Sequence, residues 1–158
     1  MRFAVLLRLI GFVCWIGLLP QRSAAQTWRW AVAPTNTAAS HSKIAAMAPD
    51  KDGTTVVAGS FSGTIAFGRF TLSSAGPEDV FVAQLDAAGN WLQAVRAGSG
   101  NVCRVNALMV DNDETTVVGG SFSGLAIDFG AFKLTNADNI GVGSSEDLFV
   151  ARLNRAGV

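Results

Sequence analysis

Ten residues from Thr54 to Gly63, reading TTVVAGSFSG, return from Thr115 to Gly124 as TTVVGGSFSG with nine of ten positions identical. The offset of 61 residues is too long for a helical-repeat unit and suits a multi-stranded sheet. A second echo follows at the same scale. Glu78 to Gly89 (EDVFVAQLDAAG) recurs as Glu146 to Gly157 (EDLFVARLNRAG), eight of twelve identical. A chain built this way is two copies of one β unit, and any function has to be hosted on that duplicated frame.

The 158 residues suffice for one domain or for a segment of a repeat array. Residues 1–25 read as a signal peptide. Arg2 and Arg8 give a positive start, Leu9 to Leu19 is an apolar run, Pro20 breaks it, and Ser23-Ala24-Ala25 supplies the small residues of a cleavage site. Eleven apolar residues fall short of the about 20 that span a bilayer. Cleavage after Ala25 is expected to leave a secreted or cell-surface chain with no membrane span, starting at Gln26. Cys14 lies in the removed run, behind the bulky Gly11-Phe12-Val13, which is no lipid-attachment box.

Loss of Arg2, Arg8 and Arg22 leaves nine basic against twelve acidic side chains, with no clustered basic stripe. Nucleic acid is excluded as an expected partner. Only Cys103 survives cleavage, so no internal disulfide can form, and its neighbours Val102 and Val105 mark it as a small buried hydrophobe.

Thr27 to Val32 reads as a strand bounded by Pro34, and its Trp28-x-x-Ala31-Val32 spacing matches Trp91-x-x-Ala94-Val95 at an offset of 63. Residues 27–33 are therefore expected to be a strand of a preceding or closing unit. Thr35 to Ser42 is a small, polar loop, and Ile44 to Ala48 and Val105 to Val110 are short strands of mostly small side chains, suited to a crowded inner position. Asp50-Lys51-Asp52-Gly53 is a turn; its partner Asp111-Asn112-Asp113-Glu114 lacks the glycine. The strand from Val80 to Leu85 is apolar on both faces, Val80 and Val82 on one and Phe81, Ala83 and Leu85 on the other, which places it inside a layered structure. The longer segment Asn136 to Ser145 is a surface insertion. No helical periodicity is present after residue 25. Unit 1 covers about residues 43–97 and unit 2 about 105–158 of the repeat region 26–158.

Gly59, Phe61 to Thr64, Phe67-Gly68, Leu72, Asp79, Phe81 to Ala83, Leu85-Asp86 and Gly89 to Trp91 together resemble the β-propeller repeat of exported bacterial proteins known as the SBBP repeat. The resemblance implies an all-β fold of tandem four-stranded antiparallel blades, here a partial propeller of two repeat units, in an extracellular setting. It brings no catalytic residue, metal or cofactor with it. Closed propellers use about four to eight blades, so the chain is expected to be a fragment of a longer protein or to self-assemble.

Asp50, Asp52, Asp111 and Asp113 are spaced like calcium ligands, but an EF-hand loop needs Gly at its sixth position and Glu at its twelfth, which are Thr55 and Phe61 counted from Asp50. They are turn residues. Glu78-Asp79 and Glu146-Asp147 resemble acid/base pairs, yet adjacent strand residues point to opposite faces; Asp79 and Asp147 are expected to accept backbone N–H bonds instead. In the glycine-flanked stretch Gly59 to Gly63, a hydrolase elbow would place serine where Phe61 stands, and the single histidine, His41, sits in a polar loop. Gly141-Val142-Gly143 lacks the third glycine of a dinucleotide site. Trp28, Trp30 and Trp91 are expected in core or between-sheet packing, with sugar stacking the alternative. No catalytic, cofactor-binding or metal-binding residue is assigned. The function expected is non-enzymatic binding or scaffolding of an unidentified protein or carbohydrate ligand at or outside the cell surface. The competing expectation is an extracellular glycan-active hydrolase or lyase whose catalytic residues lie on blades outside this chain.

Overall fold

The structure is a computed structural model describing residues 26–136 and 145–154. The expected signal peptide, Gly141 to Gly143 and Gly157 lie outside the described residues. Every regular element among those described is a β-strand, and every pairing between strands is antiparallel.

In unit 1 the mostly small residues of β2 (His41–Pro49) and the β-branched and aromatic runs of β3 (Thr55–Ser62), β6 (Asp79–Leu85) and β7 (Trp91–Ala97) join as a four-stranded sheet in the order β2-β3-β6-β7. The β2–β3 turn closes with Asp50 N donating to Thr54 O at 2.9 Å, and Gly53 takes the left-handed φ of 73° that the turn demands. Between β3 and β6 the chain leaves the sheet as a hairpin of β4 (Thr64–Phe67) and β5 (Phe70–Ser73). Unit 2 repeats the plan with β8 (Cys103–Val110), β9 (Thr116–Ser123) and β12 (Glu146–Leu153) in the order β8-β9-β12, and a hairpin of β10 (Ala126–Asp128) and β11 (Lys133–Thr135).

The expectation that β6 is buried on both faces holds. On one face Phe81, Ala83 and Leu85 join Val57 and Phe61 under Ile65 and Phe67 of the β4–β5 hairpin. On the other, Val80 and Ala58 pack against Val118, Phe122, Ile127 and Phe149 of unit 2. Burying each such side chain contributes about 1.5–3 kcal/mol, so the interface between the sheets is part of the main core. The residues that unit 2 presents to unit 1, Phe122, Ile127 and Phe149, correspond to Phe61, Ile65 and Phe81, which unit 1 covers with its own hairpin. Two like sheets are thus stacked in one direction, the hairpin-side face of the second on the far face of the first.

A β-bulge interrupts β2 between Ile44 and Ala46 and another interrupts β8 between Val105 and Ala107. Opposite them stand Gly59 and Gly120, where any Cβ would overlap the carbonyl oxygens of Lys43 and Arg104. The repeated glycine is therefore required by close approach of the neighbouring backbone. Gly63, with a φ of 71°, turns the chain into the β4–β5 hairpin.

Three expectations need correction. Residues 27–33 form no strand, because a strand exists only where a neighbour supplies backbone partners and none runs beside them. Trp30 instead lies over Gly89 and donates its indole N–H to Ala87 O at 3.1 Å. The polar segment 35–42 is not all loop: β1 (Thr35–Asn36) pairs with β4 through Thr35 and Ala66, and β2 already begins at His41. The inner strand β2 is not crowded either, since it stands beside β8 but leaves Ile44 and Met47 exposed.

Candidate functional site between the two sheets

Asp50 and Asp111 each fix their own turn. Asp50 Oδ1 accepts from Lys51 N and Asp111 Oδ1 from Asn112 N, both at 2.6 Å, the side-chain-to-backbone bonds by which aspartate fixes turns. Lys51 Nζ in turn donates to Asn112 O, tying the two equivalent turns together. Among the described residues no group of three or more His, Cys, Asp or Glu is gathered as a metal would require.

Glu78 and Asp79 part company as adjacent strand residues do. Glu78 accepts from Ser60 Oγ at 2.6 Å and pairs with Arg104 at 3.1 Å, while the same arginine reaches Glu146, the equivalent of Glu78, at 3.3 Å. One β8 arginine thereby bridges the two units. Asp79 is fully buried. Its Oδ2 accepts from Ala75 N at 2.8 Å, the backbone bond anticipated for it, and from Arg96 at 2.6 Å. Gly98 lies so close that a Cβ there would overlap the Asp79 carboxylate. The cross-strand Asp79–Arg96 pair was not legible beforehand, because nothing in the spacing of 17 residues states which β7 side chain faces β6.

Near this pair Cys103 is buried and unoxidised. Burial pushes its thiol up from the ordinary range, and the negative Asp79 adds to the shift. A thiol held protonated is a poor nucleophile. A cavity of about 380 Å³ opens beside Arg96, Gly98, Asn101, Asp128 and Lys133, but the carboxylate and the thiol serve as packing and pairing groups.

His41 is not a loop residue. It starts β2 opposite Ser62, and its Nδ1 lies 2.6 Å from Ser62 Oγ. A serine nucleophile needs such a base, but also a group to orient it and donors for an oxyanion; this exposed pair lines neither of the two cavities described here. Of the tryptophans, Trp91 packs on Phe67, Trp30 is half-exposed over Gly89, and Trp28 is 95% exposed.

The larger of the two cavities is a groove of about 620 Å³ between Val82 and Val95 of the first sheet, Phe129 and Phe132 around the β10–β11 hairpin, and Ala151 and Leu153 of β12. Its lining is mainly apolar, the character of binding clefts in general. The outer edge of β12 has no paired strand among the described residues, whereas the equivalent edge of β6 is paired with β7. On the face of β12 away from the core, Leu148 is 79% and Val150 is 69% exposed. Of their equivalents, Val80 is buried against unit 2 and Val82 is partly covered by it. No helix among the described residues is long and apolar enough to cross a membrane. Searches against protein-family models, curated proteins and solved structures return no match to this chain.

Proposed function

We propose that the chain is an exported β-propeller-repeat protein of the SBBP type, without enzymatic activity, whose stacked sheets serve a binding or scaffolding role at or outside the cell surface. The observation that carries this reading is directional stacking of two like sheets. The face covered on the first sheet, around Val80 and Val82, is presented by the second as Leu148 and Val150. An apolar face that one unit buries against its successor is a face built to receive a further sheet.

The catalytic-type groups support the same reading by their use. Glu78, the Oδ2 of Asp79, Asp50 and Asp111 are engaged in arginine pairs and backbone bonds, and burial raises the Cys103 thiol, which favours its neutral form. Export rests on the Arg2 to Ala25 pattern, and intact-mass analysis of protein recovered outside the cytoplasm checks it: a chain beginning at Gln26 is expected, and a cytoplasmic chain retaining Met1 contradicts it.

The stacking role is tested by sedimentation of the chain and of a Leu148→Lys, Val150→Lys double variant. The parent is expected to associate with rising concentration and the variant to stay monomeric with an unchanged circular dichroism spectrum. A parent that remains monomeric throughout, or a variant that associates as the parent does, overturns the reading.

A further inference from the structure

We propose that residues 27–33 of one copy add to the outer edge of β12 in a second copy as its fourth strand, seating Trp28 on Phe129. The inference rests on reading the two sheets as stacking units and names the partner as another copy of this chain.

Unit 1 shows what the completed edge looks like. There β7 lies along β6, and Trp91 meets Phe67 with ring centroids 4.7 Å apart and planes at 76°. Phe67 also touches Phe81 at 5.0 Å. In unit 2 the corresponding Phe129 and Phe149 keep that contact at 5.2 Å, and the groove lies against Phe129 where the tryptophan of a fourth strand would stand. The receptor half of the contact is in place.

The donor half is Trp28-Arg29-Trp30-Ala31-Val32, which repeats the spacing of Trp91, Ala94 and Val95. It is also held where a fourth strand of a preceding sheet belongs. In unit 2 the chain leaving β7 pairs Gly98 with Asp128 of β10; in unit 1 the chain leaving residues 27–33 pairs Thr35 with Ala66 of β4, the same connection at sequence offsets of 63 and 62. The segment is thus anchored to its own first sheet by β1 and by the Trp30–Ala87 bond, with residues 27–33 paired to no strand and Trp28 in solvent. It need not detach to accept β12 of a neighbour. Main-chain bonds along the edge supply affinity and the alternating side chains supply register.

Transposing the β6–β7 register sets Leu153 against Trp28, Arg152 against Trp30, Ala151 against Ala31 and Val150 against Val32. Where unit 1 has a Gln84–Gln93 hydrogen bond of 2.9 Å, the joined edge has Arg152 beside the Trp30 ring, a cation–π pair. Pro34 falls at the strand end, where a missing N–H is tolerated. Because residues 27–33 and the β12 edge are different surfaces, the contact is head to tail, and successive copies form a ring if the rotation closes.

Two single variants, Ala31→Cys and Ala151→Cys, each carrying Cys14→Ala and Cys103→Ala, are mixed and oxidised. A disulfide-linked heterodimer is expected at least tenfold above that from the out-of-register pair Ala33→Cys with Ala151→Cys. Ala31→Pro, which leaves β12 and its Leu148–Val150 face untouched, is expected to weaken association at least tenfold with circular dichroism unchanged. Association undiminished by Ala31→Pro, or linkage equal in both pairs, overturns strand addition while leaving sheet stacking standing. A parent chain that stays monomeric overturns both.

Discussion

Trp91 and Phe67 meet ring to ring, 4.7 Å apart at 76°, so the last strand of the first sheet is pinned to the hairpin that crosses it. Phe129, the counterpart of Phe67, has its phenylalanine neighbour but no tryptophan. The two positions should therefore respond unequally. Phe67 is 1% exposed, and Phe67→Ala is expected to cost about 3–5 kcal/mol in denaturant unfolding. Phe129 is only partly buried, and Phe129→Ala is expected to cost about 1–2 kcal/mol, the lower end for removing an incompletely packed ring. Equal costs would show that the Trp91 contact contributes nothing to holding Phe67.

The second turn carries strain that the first avoids. Glu114 has a φ of 59° at the place where the first turn has Gly53 at 73°, and it is the one non-glycine residue with positive φ among those described. A left-handed conformation costs a residue bearing a Cβ about 1–2 kcal/mol. Replacing Glu114 by glycine is expected to raise stability by about 1 kcal/mol, read as a higher melting temperature; a loss would mean that the side chain of Glu114 contributes more than its backbone strain costs.

The buried Asp79 depends on one arginine. Arg96→Met leaves its carboxylate without a counter-charge in the core, and removing one partner of a buried pair costs about 3–5 kcal/mol. Arg96 is 34% exposed, so the lower end, about 3 kcal/mol, is expected. Asp79→Asn added to Arg96→Met should restore much of that loss, and a double-mutant cycle with no coupling would remove the pair from the account.

Stability should also fall in alkali through one thiol. Burial raises the folded-state value for Cys103, so below the unfolded thiol value of about 8.5 both states carry the proton and stability is unaffected. Above it the unfolded chain ionises first, and stability declines by up to about 1.4 kcal/mol per pH unit until the folded value is reached. Unfolding free energies from pH 7 to 10 should show this slope in the parent and lose it in Cys103→Ala; the same slope in both would assign it elsewhere.

Much of this frame was legible in the residues. The duplication of Thr54 to Gly63 announced β3 and β9 as equivalent strands of two sheets, and the two apolar faces of Val80 to Leu85 announced a strand with layers on either side, because side-chain alternation is a local property. The missing turn glycine at Glu114 was visible for the same reason. What escaped depends on partners distant in sequence. Trp28 to Val32 has strand composition but no neighbour to bond. The bulges facing Gly59 and Gly120 are properties of register, and the His41–Ser62 and Asp79–Arg96 pairs required knowing which strands lie side by side.

Hydrogen exchange along β12 tests the central claim most directly. Half of its backbone amides point toward β9 and half toward the open edge. In the associated chain the outward amides should exchange about as slowly as the inward ones, and the Leu148→Lys, Val150→Lys variant should return them to rapid exchange while the β9-facing set stays protected. Outward amides that exchange fast in parent and variant alike would contradict the account of β12 as an edge and face built to be covered.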